Sequence, residues 1–269
     1  QTGEWLQLDY LSQYAHLGAT SLDGEPGYTM DGTPFVWKEP TGLENLSDTV
    51  LAMDFDTEGT ALITVTSLYH GIDHAGFVQR YTEMTPEERS RNFQSLVSGI
   101  AQNAKPEGEL VTDFTYPGTI KFTVKVPRFG VKNAGGLYFD LPSVPQSIMP
   151  TDSDRRERAL FYNGESKSKF VWNITAPAGL VPVIAPENLD WRGPGNLGTV
   201  KFLAEPNTST DATRLTYSLD VDLAPAVIPV GNYSSLLDLN RRFSHPSARR
   251  VLLQPAVAAE KPGPKIAAP

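Results

Sequence analysis

The stretch from Gly59 to Ala104, GTALITVTSLYHGIDHAGFVQRYTEMTPEERSRNFQSLVSGIAQNA, decides the fold class. Thr60 to Tyr69 is a β-branched run that places Ala61, Ile63, Val65 and Ser67 on one face and Leu62, Thr64, Thr66 and Leu68 on the other, the period of a strand. Further on, Thr85-Pro86-Glu87-Glu88 supplies a capping threonine, a proline preset for the first helical position, and a glutamate that reaches back to the cap amide. Phe93, Leu96, Val97, Ile100, Ala101 and Ala104 then recur at spacings of three and four, which predicts an amphipathic helix over 86–104, read as the only long one in the chain. Lys105-Pro106 ends it, because proline lacks the next donor and disfavours helix at the residue before it. A helix lying on a sheet is implied.

Composition sets the wider frame. With 269 residues, 40% of them apolar, the chain can bury a large core as one large or two modest domains. The 22 prolines and 22 glycines, spread throughout, favour many short strands joined by turns, so the expected class is mainly β: one or more antiparallel β-sandwiches with the long helix packed on a sheet. A net charge of -8 argues against nucleic acid, whose phosphates need a basic footprint. Cysteine is absent, which removes disulfides, thiolate metal sites and a cysteine nucleophile from this chain. No apolar run approaches the ~20 residues of a membrane span. The first residue is Gln1, read as the start of a processed or excised piece of something longer.

Outward from the opening stretch, residues 1–45 form the end of a preceding segment and a linker, with Tyr28, Phe35 and Trp37 expected to anchor it by burying their rings. The β-sandwich region is 46–253. Val50 to Phe55 pairs with Thr60 to Tyr69 around Asp56 to Gly59. Asp54, Asp56, Glu58 and Gly59 mimic the opening of a calcium loop, but the twelfth position is Val65 in place of a bidentate glutamate, so a tight acidic turn is expected. Ile120, Phe122, Val124 and Val126 alternate with polar residues, as do Phe170, Trp172 and Ile174, then Val200 and Phe202, and most regularly Leu215 to Leu223. Leu137 to Leu141, Arg158 to Tyr162 and Arg250 to Leu253 read as short strands, and Ser234 to Phe243 as a short helix. Residues 254–269, rich in Ala, Pro and Lys, are expected to be a disordered tail.

Few residues suggest chemistry. His70 and His74, four apart, would share a helix face and could chelate a metal, but Gly71 between them and no glutamate after His70 favour a strand-to-helix turn; neither metal nor cofactor is expected. No G-x-S-x-G elbow is present, and Gly130 to Gly136 lacks the lysine and hydroxyl of a phosphate loop. The pairs Asp220 with Asp222 and Asp54 with Asp56 offer carboxylates for a hydrolase, a reading set against outward strand faces and turns. Trp37, Trp172, Trp191 and Tyr233 could make a sugar-stacking platform; period places Trp172 inward, whereas Trp191, in Asp190-Trp191-Arg192-Gly193-Pro194, is open to a binding role.

Gly3-Glu4-Trp5-Leu6-Gln7-Leu8-Asp9 resembles the closing strand of transglutaminase-like, papain-fold enzymes, where a tryptophan followed four residues later by aspartate ends the catalytic core. The order of later elements is similar to the C-terminal β-rich region of bacterial transglutaminase-like proteins: the Asp56 to Gly59 turn, Gly76 to Arg80 as G-x-x-x-R, Glu88-Arg89 opening a helix, and Pro229, Tyr233 and Leu236-Leu237 at the end. The resemblance covers most of residues 1–253, although Asp9-Tyr10-Leu11 departs from the threonine-containing ending of the family. It implies a non-catalytic platform for an upstream cysteine-dependent acyl-transfer or amide-hydrolysis core, in a periplasmic or extracellular setting, with Asp9 the orienting carboxylate of a triad whose other members precede Gln1. Asp9 is thus the candidate catalytic residue, and Trp5 and Trp191 are the candidate binding residues. The competing expectations are a free-standing extracellular glycan- or peptide-binding module and a carboxylate-dependent hydrolase.

Overall fold

In the computed structural model, which describes residues 12–16, 18–22, 24–38, 42–133, 135–205 and 214–255, the alternation read from the sequence becomes one continuous buried face. In chain order the elements are β1 (Pro26–Tyr28), β2 (Pro34–Val36), β3 (Ser47–Phe55), β4 (Ala61–Tyr69), α1 (Gly71–Glu83), α2 (Pro86–Ile100), β5 (Lys105–Pro106), β6 (Val111–Asp113), β7 (Gly118–Val126), β8 (Val131–Asn133) and β9 (Gly136–Asp140). They continue as β10 (Leu160–Tyr162), β11 (Ser166–Thr175), β12 (Leu180–Ile184), β13 (Leu189–Arg192), β14 (Gly198–Glu205), β15 (Arg214–Leu223), β16 (Ala226–Ile228), α3 (Tyr233–Ser244) and β17 (Arg250–Pro255). The class is mainly β with antiparallel sheets and a helix packed on a sheet, as expected.

Nine strands form the main sheet, in the order β13-β14-β15-β11-β3-β4-β7, with β5 and β6 both paired to β7 at the far edge. All its neighbours are antiparallel except β3 and β11, which run parallel and so join two antiparallel halves. Cross-strand register builds rows on the inner face. Phe122, Val65, Leu51, Trp172 and Tyr217 lie opposite one another in turn, all buried. Burying such a row removes apolar surface worth roughly 1.5–3 kcal/mol per large side chain. The outer face carries Asp54, Lys121, Lys125, Lys201, Asp220 and Asp222, all exposed.

A second layer covers the inner face. In its middle stands a four-stranded sheet, β12-β17-β9-β8, whose Phe139 ring lies 4.5 Å from that of Phe55. Trp172, fully buried, donates its indole N–H to the carbonyl of Pro142 at 2.8 Å, which satisfies both groups in the core. On one side lies α3, burying Leu236, Leu239 and Phe243 and tied to the 148–151 segment by Asn240, whose Oδ1 accepts from the amides of Ile148 and Met149. On the other side lie α1 and α2.

The Thr85 cap forms as read: its hydroxyl accepts from the Glu88 amide, and Glu88 accepts from the Thr85 amide at 2.8 Å. The helix ends at Ile100 instead of Ala104, because Lys105 and Pro106 pair with β7 and pull the preceding residues out of helical geometry. It is not the only long helix, since α1 adds 13 residues and α3 12. Tyr28, Phe35 and Trp37 do not bury as anchors. They sit on the separate β1-β2 hairpin, where Tyr28 is exposed and the Phe35 and Trp37 rings pack on each other at 4.9 Å, because that hairpin pairs with no larger sheet. Of the tail expected over 254–269, Gln254 and Pro255 instead extend β17, where they pair with Val181 and Leu180 of β12, and 256–269 lie outside the described residues.

Candidate functional site

One inner row differs from its neighbours. Gly118, Tyr69, Ser47, Ser168, Val221, Val200 and Trp191 lie opposite one another in turn across the main sheet. Where the rows towards the other strand ends present Leu51, Met53 and Trp172, β3 and β11 here present Ser47, Ser166 and Ser168. Thr49 and Ser67, one row in, are bonded to each other at 3.0 Å. Small hydroxyl side chains at inward positions leave volume unfilled beneath the covering layer. That volume is a cleft.

The covering element is α1, and its placement is over-determined. Gly71 begins it at φ +54, a left-handed conformation that a side chain would strain, and Asn45 occupies the space a Cβ would need. Asn45 Oδ1 accepts from the Ile72 amide at 2.7 Å and its Nδ2 donates to the Thr20 carbonyl. The Gly71 amide donates to the Tyr116 hydroxyl, which itself donates to the Gly42 carbonyl at 2.7 Å. These bonds satisfy first-turn amides that a helix cannot pair internally. Phe77 then stacks on Tyr69 at 5.0 Å, directly over Gly118, where an added Cβ would come within 2.5 Å of the ring.

Two cavities meet under this helix. The first, about 430 Å³, is lined by Tyr69, Phe77, Arg80, Tyr81, Asn92 and Leu96; the second, about 390 Å³, by Ser21, Asn45, Asn163, Glu165, Ser166, Lys167 and Ser168. Ser47, Ile72 and Asp73 line both. Asp73 is open to solvent at its outer edge, yet the walls remove enough water from its carboxyl to raise its pKa above the ordinary 3.8. Burial likewise raises the Tyr69 and Tyr81 phenols. Glu165 and Lys167 form an ion pair at 3.1 Å, each about a quarter exposed.

At the other end of the same row, Trp191 is half-buried on the edge strand β13 and donates its indole N–H to Ser235 Oγ of α3 at 3.1 Å. Beside it lies a cavity of about 300 Å³, adjoining one of about 400 Å³ through Leu189 and Arg242. There Arg241 pairs with Asp238 at 3.0 Å and Arg242 with Glu187 at 3.6 Å, so the groove carries little net charge. Trp191 therefore has both a packing role and a free side.

No known protein family, curated protein or solved structure matches the chain.

Trp5 and Asp9 lie outside the described residues. Asp54, Asp220 and Asp222 point away from the core on the outer face. Asp56 turns on its own loop, accepting from the amides of Thr60 and Glu58, which helps to lower its pKa; Glu58 pairs with Lys132 at 2.9 Å. His70 is the residue before α1, and His74 is buried with Nε2 on the Phe114 carbonyl at 3.1 Å, so that nitrogen carries the proton. Both rings, with His16, surround the Tyr116 ring at 5.0 to 5.9 Å. Among the described residues no group of three His, Cys, Asp or Glu is placed to hold a metal, and no helix is long and apolar enough to cross a membrane. His245 and Ser247 are bonded at 2.8 Å, but the imidazole also accepts from the Ser247 amide and caps the turn that both belong to.

The α1 cleft is not evident from the sequence pattern. Its one signal was chemical: Ser47 and Thr49, Ser67, and Ser166 and Ser168 occupy inward positions of strands that are otherwise apolar inside.

Proposed function

We propose that this chain is a non-catalytic binding platform that holds its ligand in the cleft beneath α1. A single observation carries the reading: the inner face changes from large apolar to small hydroxyl side chains beneath the covering helix, producing a concave surface with polar lining built from six separate segments. Packing alone favours filling such space with apolar groups, since voids forfeit contacts and buried polar groups need partners. Each cavity falls within the roughly 300–1,000 Å³ typical of small-molecule sites. The resemblance to transglutaminase-like proteins adds a context: a platform presenting substrate or partner to a cysteine-dependent core upstream, exported to the periplasm or beyond. Asp9 would orient the base of that core and Trp5 would contribute to binding.

The test is ligand mapping by backbone NMR on the purified 269-residue chain, with oligosaccharides and peptides as probes and amide and acyl-transfer substrates run in parallel. Perturbed amides at Ser47, Asp73 and Ser166 to Ser168 without turnover are the expected outcome. Robust turnover by the chain itself, or ligands that map only elsewhere, would sink the reading.

A further inference from the structure

We infer that the cleft beneath α1 takes a neutral polyhydroxylated ligand, a stretch of uncharged oligosaccharide, an assignment that rests on the platform reading and names its ligand class. The first support is the state of the lining groups. Among the described residues the side chains of Ser47, Asp73, Asn163, Ser166 and Ser168 make no hydrogen bond within the protein, although all of them line the cleft. Hydroxyls and amides both donate and accept, and the Asp73 carboxylate adds an acceptor. Such a set matches vicinal sugar hydroxyls, which also do both.

Charge narrows the class further. Asp73 and Glu165 are offset by Arg80 and Lys167, so the lining has no net field to select an anion or a cation. The start of α1 offers no anion site either, because the Gly71 and Ile72 amides already donate to Tyr116 and Asn45.

Peptide recognition is disfavoured by topology. A strand-like peptide gains affinity by pairing with an open sheet edge several residues long, but the cleft floor is made by the central strands β3 and β11, which are paired on both sides except at Ser166 and Lys167, where β11 extends past the start of β3. Two residues are too short an edge for such pairing, and side chains supply the rest of the floor. Tyr69, half-buried on the wall with one face stacked on Phe77, adds apolar aromatic surface against which the C–H groups of a sugar ring can pack.

The experiment is isothermal titration of the full chain with cellohexaose, chitohexaose, maltohexaose and mannohexaose, alongside hexagalacturonate and an uncharged hexapeptide. At least one neutral hexasaccharide is expected to bind, with an affinity little changed between about 50 and about 500 mM salt. Ser168→Val, which removes one hydroxyl, is expected to weaken it by about tenfold, with an unchanged melting temperature confirming the fold. Asp220→Asn on the outer face should leave it unaltered. Binding of the hexapeptide or hexagalacturonate in the cleft with every neutral sugar silent would overturn the ligand class and leave the platform standing. Silence from the whole panel would overturn both.

Discussion

Ser47 and Trp191 face the same side of the main sheet in one cross-strand row, four strands apart. At a strand spacing of about 4.8 Å that separation is roughly 19 Å. The two ends of the row are covered by different helices, α1 over Ser47 and α3 over Trp191, and each has its own cavity. Trp191→Phe keeps a smaller aromatic ring and loses the bond to Ser235 together with part of the indole packing, so a loss of at least about 0.5–1.5 kcal/mol in unfolding free energy is expected. Trp191→Ala also removes the packing against α3 and should cost more. Neither should weaken a ligand held at Ser47, and urea unfolding beside a titration separates the two effects.

Trp172 gives a stronger case. Its ring is fully buried between strands and its N–H meets the Pro142 carbonyl. Trp172→Phe leaves that carbonyl without its donor, with an expected cost of about 1–3 kcal/mol. Trp172→Ala adds a cavity, for about 3–5 kcal/mol. Equal losses for the two variants in equilibrium denaturation would show that the phenyl ring retained by Phe contributes little beyond the lost hydrogen bond and indole volume.

Tyr116 joins the 42–46 segment to the start of α1 through its hydroxyl. Tyr116→Phe retains the ring among His16, His70 and His74 while leaving the Gly71 amide and the Gly42 carbonyl to water. A modest loss, about 0.5–1.5 kcal/mol, is expected because the site is partly exposed. Hydrogen exchange should localise it: faster exchange at Gly71 and Ile72, and no change at β15.

The pH dependence of stability has two opposed parts. Hydrogen bonds from the Thr85 amide and hydroxyl lower the Glu88 pKa below 4.5, and bonds from the Thr60 and Glu58 amides help to lower that of Asp56 below 3.8. Their contributions are present above those ordinary values and are lost as pH falls through the lowered ones. Burial acts oppositely on Asp73. Its folded-state pKa lies above 3.8, so it favours the folded state at low pH, and that contribution disappears as pH rises from 3.8 through the raised value. Asp73→Asn should therefore flatten the stability curve in that window and raise the melting temperature at neutral pH while weakening ligand. A melting temperature lowered at pH 7 would show that the carboxylate supports the fold.

The capping box is accessible to a simpler check. Thr85→Ala removes the acceptor for the Glu88 amide and is expected to cost about 0.5–2 kcal/mol by thermal or urea unfolding.

Much of this fold is visible in local patterns, because strand period and helix caps are set by neighbours a few residues apart. The inward placement of Leu51, Trp172, Tyr217 and Leu219 follows from alternation, and Thr85 with Glu88 specifies the start of α2. The first helix escaped notice because Gly71 and Gly76 interrupt it and only Ala75, Phe77 and Tyr81 stand as buried apolar groups along its length. Its face becomes apolar only when Phe77 meets Tyr69 and Gly118. The cleft was hidden for a related reason: a serine at an inward position looks the same in sequence whether a side chain or a cavity lies above it.

By itself the sequence determined which segments are extended, which side of each faces inward and where one helix begins, since these depend on steric and hydrogen-bonding preferences within a few residues. Only the tertiary structure decided that β3 lies parallel to β11, more than a hundred residues away, and so sets Ser47 beside Ser168. That pairing, and the helix held above it by Asn45 and Tyr116, come from contacts between distant segments that no local period encodes.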